Sequence, residues 1–174
     1  MNSSIFFGIS TVGYILAMIM YISYLVFKKK EIGITATIIT LISFAAHTIG
    51  FFMRWYEGYQ IGWRSFWRPP ISNLYESLIF FLWCLILGYI IIEFKYKSRY
   101  LGAFITPIAA ITLAFIEMTG MSKEIEPLLP ALQSNWLLLH VTMSFIAYSL
   151  FTLSFATALI YLIEKTKRKT EFSY

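Results

Sequence analysis

The stretch Leu132–Leu162, LQSNWLLLHVTMSFIAYSLFTLSFATALIYL, decides the class of fold. It contains no charged residue and a single histidine, His140, a little over one turn from the start of its apolar run at Trp136. A helix needs about 20 apolar residues to cross a bilayer, and this run exceeds that. Backbone N–H and C=O groups left unpaired in lipid are so costly that a single chain segment of this kind crosses as a helix. The segment is therefore read as a membrane helix, and the remainder of the chain is measured against it.

The same character extends along all 174 residues, of which 59% are hydrophobic and 13% charged. A soluble domain is about 45–50% apolar, and the mean hydropathy of +0.70 lies well on the membrane side. All nine acidic residues are Glu, and the chain contains no Asp. The net charge of +5 does not indicate nucleic acid, because the basic residues fall in short clusters between apolar runs, where they act as topology signals. The one cysteine, Cys84, lies mid-helix and reads as a small buried apolar residue; it excludes an internal disulfide and a CxxC pair.

Four further apolar runs join the first, giving five expected helices at about 4–27, 34–53, 74–93, 101–118 and 136–163. The expected fold is all-α: a polytopic membrane helix bundle of about five transmembrane helices, forming a single domain over 1–174. The first run is followed, not preceded, by Lys28, Lys29 and Lys30, which is the order of a retained helix rather than a cleavable signal. Lys95, Lys97 and Arg99, and then Lys165, Lys167, Arg168 and Lys169, fall on the same side as that cluster, for ten basic residues against four on the other side. The positive-inside rule then places the N-terminus outside and the C-terminus in the cytoplasm. On the outer side, 54–73 is dense in Trp and Tyr and reads as an interfacial loop, while 119–135 reads as a short connection. Pro107 is expected to kink the fourth helix.

Charged side chains at membrane depth cost about 2.5–3.5 kcal/mol on insertion scales, so each ionisable group there calls for a reason. On this topology His47, Glu76, Glu117 and His140 all lie toward the outer leaflet, whereas Glu93 lies at the cytoplasmic end and is expected to snorkel among Lys95 and Lys97. A membrane histidine is either an interhelical hydrogen-bonding group or a ligand and proton carrier. His47 and His140 would meet at one haem iron only if the second and fifth helices packed side by side. There is no third histidine for a His-rich zinc or copper site, and GxSxG, HExxH, P-loop and GxGxxG patterns are absent. Without Asp no Ser-His-Asp triad is available. On the last helix Ser144, Ala147, Ser154 and Ala158 form a small-residue face suited to close helix contact.

Two motifs carry a family resemblance. The first is Pro70-Ile71-Ser72-Asn73-Leu74-Tyr75-Glu76-Ser77-Leu78 with the apolar run behind it; the second is Leu132 to Val141, QSNWLLLHV within it, with Ala147-Tyr148 and Ser154-Phe155 beyond. In this order, about 60 residues apart, they resemble the cytochrome c assembly proteins of the CcsA/ResC type, relatives of CcmC. His47-Thr48 and Arg54-Trp55 also resemble that family. The resemblance implies haem handling at the outer membrane face, with a tryptophan-rich WWD segment flanked by two haem-ligating histidines.

By that resemblance His140 matches the first of these histidines and is the expected axial ligand to haem iron, with His47 a weaker metal candidate. Trp136 and the outer-side cations Arg54, Arg64 and Arg68 are the expected cofactor-binding residues, the arginines toward the propionates. The implied cofactor is a transient b-type haem. The WWD segment, its Asp-Pro pair and the second histidine have no counterpart here, so the chain is expected to need a second chain carrying them. The implied partners are that chain, a ResB-type assembly protein, apocytochrome c and the lipid bilayer, and the expected site is the outer face of a bacterial cytoplasmic (inner, or plasma) membrane. Whether the chain is itself enzymatic, as part of a cytochrome c haem lyase (synthase) complex, stays open. The alternative is a non-catalytic structural subunit of a membrane complex that keeps the fold without the haem site.

Overall fold

The computed structural model describes residues 3–60, 69–125 and 134–171, the last five as backbone. The described residues form five helices and no strand: α1 (Ser3–Phe27), α2 (Lys30–Gln60), α3 (Leu74–Tyr96), α4 (Gly102–Met118) and α5 (Asn135–Glu171). The helices α1 to α4 close a ring in which α1 packs on α2 and α4, and α3 on α2 and α4; α5 lies outside the ring against α3. The core therefore sits between α1–α4 and is filled by Tyr14, Tyr21, Ile79, Leu82, Leu85, Ile86, Tyr89, Ile105 and Leu113.

Four of these helices are long and apolar enough to cross a membrane; α4, with 17 residues, is shorter. At 1.5 Å per residue α4 spans about 26 Å, the low end for a crossing. It is sheltered between α1 and α3 and continues through Pro107.

The expected ends of α2 and α5 fall short of the real ones. α2 runs seven residues past Met53, because Arg54 turns inward to a partner, and Glu57 reaches Ser3 at the start of α1, accepting from its N at 2.8 Å and its Oγ at 2.6 Å. The first part of the segment read as an interfacial loop is therefore helix. α5 likewise carries its helix on into the basic tail.

Close approaches set the helix pairs. A Cβ on Gly13 of α1 would lie 2.0 Å from the Ser43 Oγ of α2, so only glycine permits that contact. On the outer side of α3, Gly88 makes room for Leu153 of α5. The buried hydroxyls of Ser10, Thr11, Thr40, Ser43, Thr106 and Ser149 each donate to the carbonyl four residues back, which satisfies them without a partner helix. Ser149 also reaches the Phe81 carbonyl of α3 at 3.2 Å.

Glu93 does not snorkel. It is buried, accepts from Tyr21 Oη at 2.8 Å, from Tyr89 Oη and from Thr37 Oγ1, and pairs with Arg99 at 3.3 Å. The correction has a simple cause: Tyr21 and Tyr89 present two phenols and Arg99 folds back from the α3–α4 turn, so the carboxylate is better solvated inside than among flexible lysines.

Candidate functional site

The ends of α2 and α4 and the starts of α1, α3 and α5 meet at one end of the bundle, which brings both sequence motifs to the same level. The first motif is a clasp. Asn73 caps α3 from extended backbone (φ −130°, ψ 173°), its side chain accepting from Glu76 N at 2.9 Å. Asn is among the strongest N-caps because its oxygen satisfies one of the orphan donors of the first turn. Glu76 reaches back, accepting from Ser72 N at 2.8 Å with one oxygen and from Arg54 Nε at 2.8 Å with the other.

Arg54 is the centre of this clasp. It is 4% exposed and Glu76 is 1% exposed. Its Nη1 donates to the Lys123 carbonyl at 2.9 Å and its Nη2 to the Glu124 carbonyl at 3.3 Å, while its guanidinium lies 4.9 Å from the Tyr75 ring centroid. Asn73 Nδ2 adds a donor to the Glu124 carbonyl. One cation thus ties α2, α3 and the connection leading to α5. The planar fork of arginine suits this, since it can bind a carboxylate and carbonyls at once. Each of its three nitrogens is engaged within the protein, so Arg54 has the geometry of a structural post rather than of a propionate clamp. Glu76 was the missed member of this pair; its sequence signal was a carboxylate at the third position after the Asn73 cap, together with an arginine at the end of the preceding helix.

The second motif lies on α5. Phe145, Ser149, Leu153 and Ala156 form the line that packs on α3. At 100° per residue, His140 falls directly opposite that line. Its side chain is exposed, as is that of Trp136, which is 82% exposed one turn earlier on the same side.

The six residues singled out from sequence are therefore not one constellation. His140 and Trp136 stand together on the free side of α5. Arg54 is inside the clasp. His47 is completely buried in α2, with Nδ1 3.3 Å from Tyr14 Oη, Phe7 and Tyr14 edge-on to its ring, and Nε2 without a hydrogen-bond partner. α5 packs on α3 and lightly on α4, with no comparable contact to α2, so His47 and His140 are not brought to one iron. Arg64 and Arg68 lie outside the described residues.

The donor chemistry of the free pair fits haem: an accessible imidazole nitrogen is a good axial ligand, and an indole beside it offers apolar surface. The fit is to one face of the macrocycle, since among the described residues no second imidazole stands opposite His140.

Four long apolar helices, a shorter apolar fifth and a fully buried Arg54–Glu76 pair define an integral membrane protein of the polytopic helical class. The sequence matches the family described as cytochrome C assembly protein over residues 71–174, which takes in both motifs, and the chain belongs to that family. It is similar to the cytochrome c biogenesis protein CcsA of Porphyra purpurea, 37% identical over 156 residues covering 87% of this chain and 46% of that one. It is similar also to that of Guillardia theta, 34% identical over 156 residues (86% and 48%), and to that of Chlorella vulgaris, 42% identical over 104 residues (58% and 33%). The chain spans about half the length, or less, of the curated relatives it matches.

Proposed function

We propose that the chain is a haem-handling membrane subunit of cytochrome c biogenesis, presenting haem at the outer face of a bacterial cytoplasmic membrane. The observation that carries this is the position of His140: an imidazole on an apolar helix, turned away from its own bundle, with Trp136 beside it, inside the part of the chain that matches the family. A histidine kept for packing would turn inward as His47 does. His140 would ligate the iron through its imidazole, and Trp136 would offer apolar surface beside it. Arg64 and Arg68 pair with propionates, a duty for which the buried Arg54 is not free. The clasp formed by Arg54, Glu76 and Asn73 fixes the connection from which α5 starts and so sets where His140 stands. When bound, haem would supply an iron open to imidazole and the vinyl groups for its attachment to apocytochrome c. The second ligand and the tryptophan-rich segment come from a further polypeptide segment or chain, working with a ResB-type protein.

The test is spectroscopic. The chain is purified together with the products of its neighbouring genes, and the haem Soret band is measured for wild type and for His140→Ala. Loss of haem or a changed ligation spectrum in the variant is expected; unchanged content and spectrum would refute the ligand role. If neither form ever carries haem while the complex still assembles, the chain is instead a structural subunit. That second reading draws on the burial of Arg54 and His47.

A further inference from the structure

The outward position of α5 leaves a gap at the end of the bundle opposite His140. α5 packs on α3 and barely on α4, and its residues 161–166 are exposed. A cavity of about 340 Å³ opens there between the end of α1, the start of α4 and α5. Its walls are Leu25, Phe104, Ile160 and Ile163, with Tyr100 beside them, and its mouth carries Lys28 and Glu164. These two charges line one opening, yet among the described residues neither makes an ion pair, with the other or elsewhere. Lys28 is held in place by its backbone, in the left-handed conformation (φ 52°) with its N–H on the Tyr24 carbonyl at 2.9 Å. Glu164 lies about 40 Å along α5 from Trp136 at 1.5 Å per residue, past the ~30 Å hydrocarbon layer, so the mouth lies at headgroup level.

We propose that this gap is a binding site for one phospholipid whose head carries a primary ammonium beside its phosphate, as phosphatidylethanolamine does. An acyl chain fills the apolar part of the cleft, along Leu25, Phe104, Ile160 and Ile163. The phosphate accepts from the Lys28 ammonium, and the lipid ammonium donates to the Glu164 carboxylate. One head group thus joins two charges that the protein sets at the same mouth and leaves apart, in keeping with the placement of basic pockets between membrane helices at lipid heads. The bound lipid serves as the missing packing between α5 and α1–α4.

The test uses the full chain, purified in mild detergent and incubated in turn with phosphatidylethanolamine, phosphatidylcholine and phosphatidylglycerol, with bound lipid counted by native mass spectrometry. One phosphatidylethanolamine per chain is expected to be retained over the other two. Lys28→Gln and Glu164→Gln, both on exposed side chains that leave the core untouched, each lower its retention about tenfold, the loss of one charge-assisted hydrogen bond. Ile160→Trp fills the cleft and abolishes retention, with circular dichroism showing the helices intact. Equal binding of all three lipids, a preference for phosphatidylglycerol, or indifference to Glu164→Gln would each overturn the proposal.

Discussion

Arg54 shows how one side chain can be legible in type and misread in duty. Its position at the end of an apolar run marks it as special, and an outer-side arginine in a haem-handling family suggests a propionate. Its neighbours point to a structural duty instead: a carboxylate at 2.8 Å, two carbonyls and an aromatic face engage it inside the bundle. Removing one partner of a buried pair costs about 3–5 kcal/mol, because the other charge stays buried without compensation. Arg54→Ala should therefore lower the thermal unfolding midpoint of the purified chain sharply, while the paired change Arg54→Met with Glu76→Met should be much milder. A propionate-binding role for Arg54 would give the opposite pattern, with haem content falling and stability unchanged. His140 differs from Arg54 in every respect that matters for ligation, since it is exposed, and its side chain faces away from the packed line of its own helix.

At the scale of elements, the helices meet by close approach in mid-span and by buried polar clusters toward the two ends. Gly13 of α1 sits against Ser43 of α2 with no room for a methyl group. Overpacking of this kind costs about 1–3 kcal/mol. Gly13→Ala should destabilise the chain by that order, and adding Ser43→Gly should recover most of the loss; a chemical unfolding series on the three proteins measures both. The Glu93 cluster works where α3 ends. Glu93→Leu leaves the Tyr21 and Tyr89 phenols without their acceptor and Arg99 without its ion pair, while Thr37 keeps the Gly33 carbonyl, at about 1–3 kcal/mol for each group left buried and unpaired. Glu93→Gln keeps an acceptor and should retain more of the stability, and comparing the two by the same unfolding series separates hydrogen bonding from charge.

At the scale of the whole molecule, the ring of α1–α4 is closed on itself and α5 is not. The free side of α5 carries the proposed ligand at one end, and the proposed lipid cleft lies between α5 and the ring at the other. Ten basic residues gathered at one set of loops against four at the other predict the polarity of the molecule in the membrane. In a Cys84→Ser background, a cysteine at Ser122 should react with a membrane-impermeant maleimide from outside intact cells, and one at Lys29 only after permeabilisation. The reverse pattern would invert the molecule and move His140 to the cytoplasmic face.

The sequence by itself determined the class of fold, the helical runs and the two motifs, because apolar length and the need to satisfy backbone groups in lipid leave one solution for such segments. It also singled out His140 and the Pro70–Leu78 motif that holds Asn73 and Glu76, which are local patterns within one or two turns. It placed the end of α2 seven residues early and sent Glu93 to the surface, because both depend on partners far along the chain: Glu57 on Ser3, Arg54 on Glu76 and two carbonyls beyond residue 120, and Glu93 on Tyr21 and Thr37. Only the tertiary structure decided which ionisable groups are sealed and which are free. That sorting turns on which helices are neighbours, and apolar periodicity, nearly uniform around a membrane helix, does not encode it.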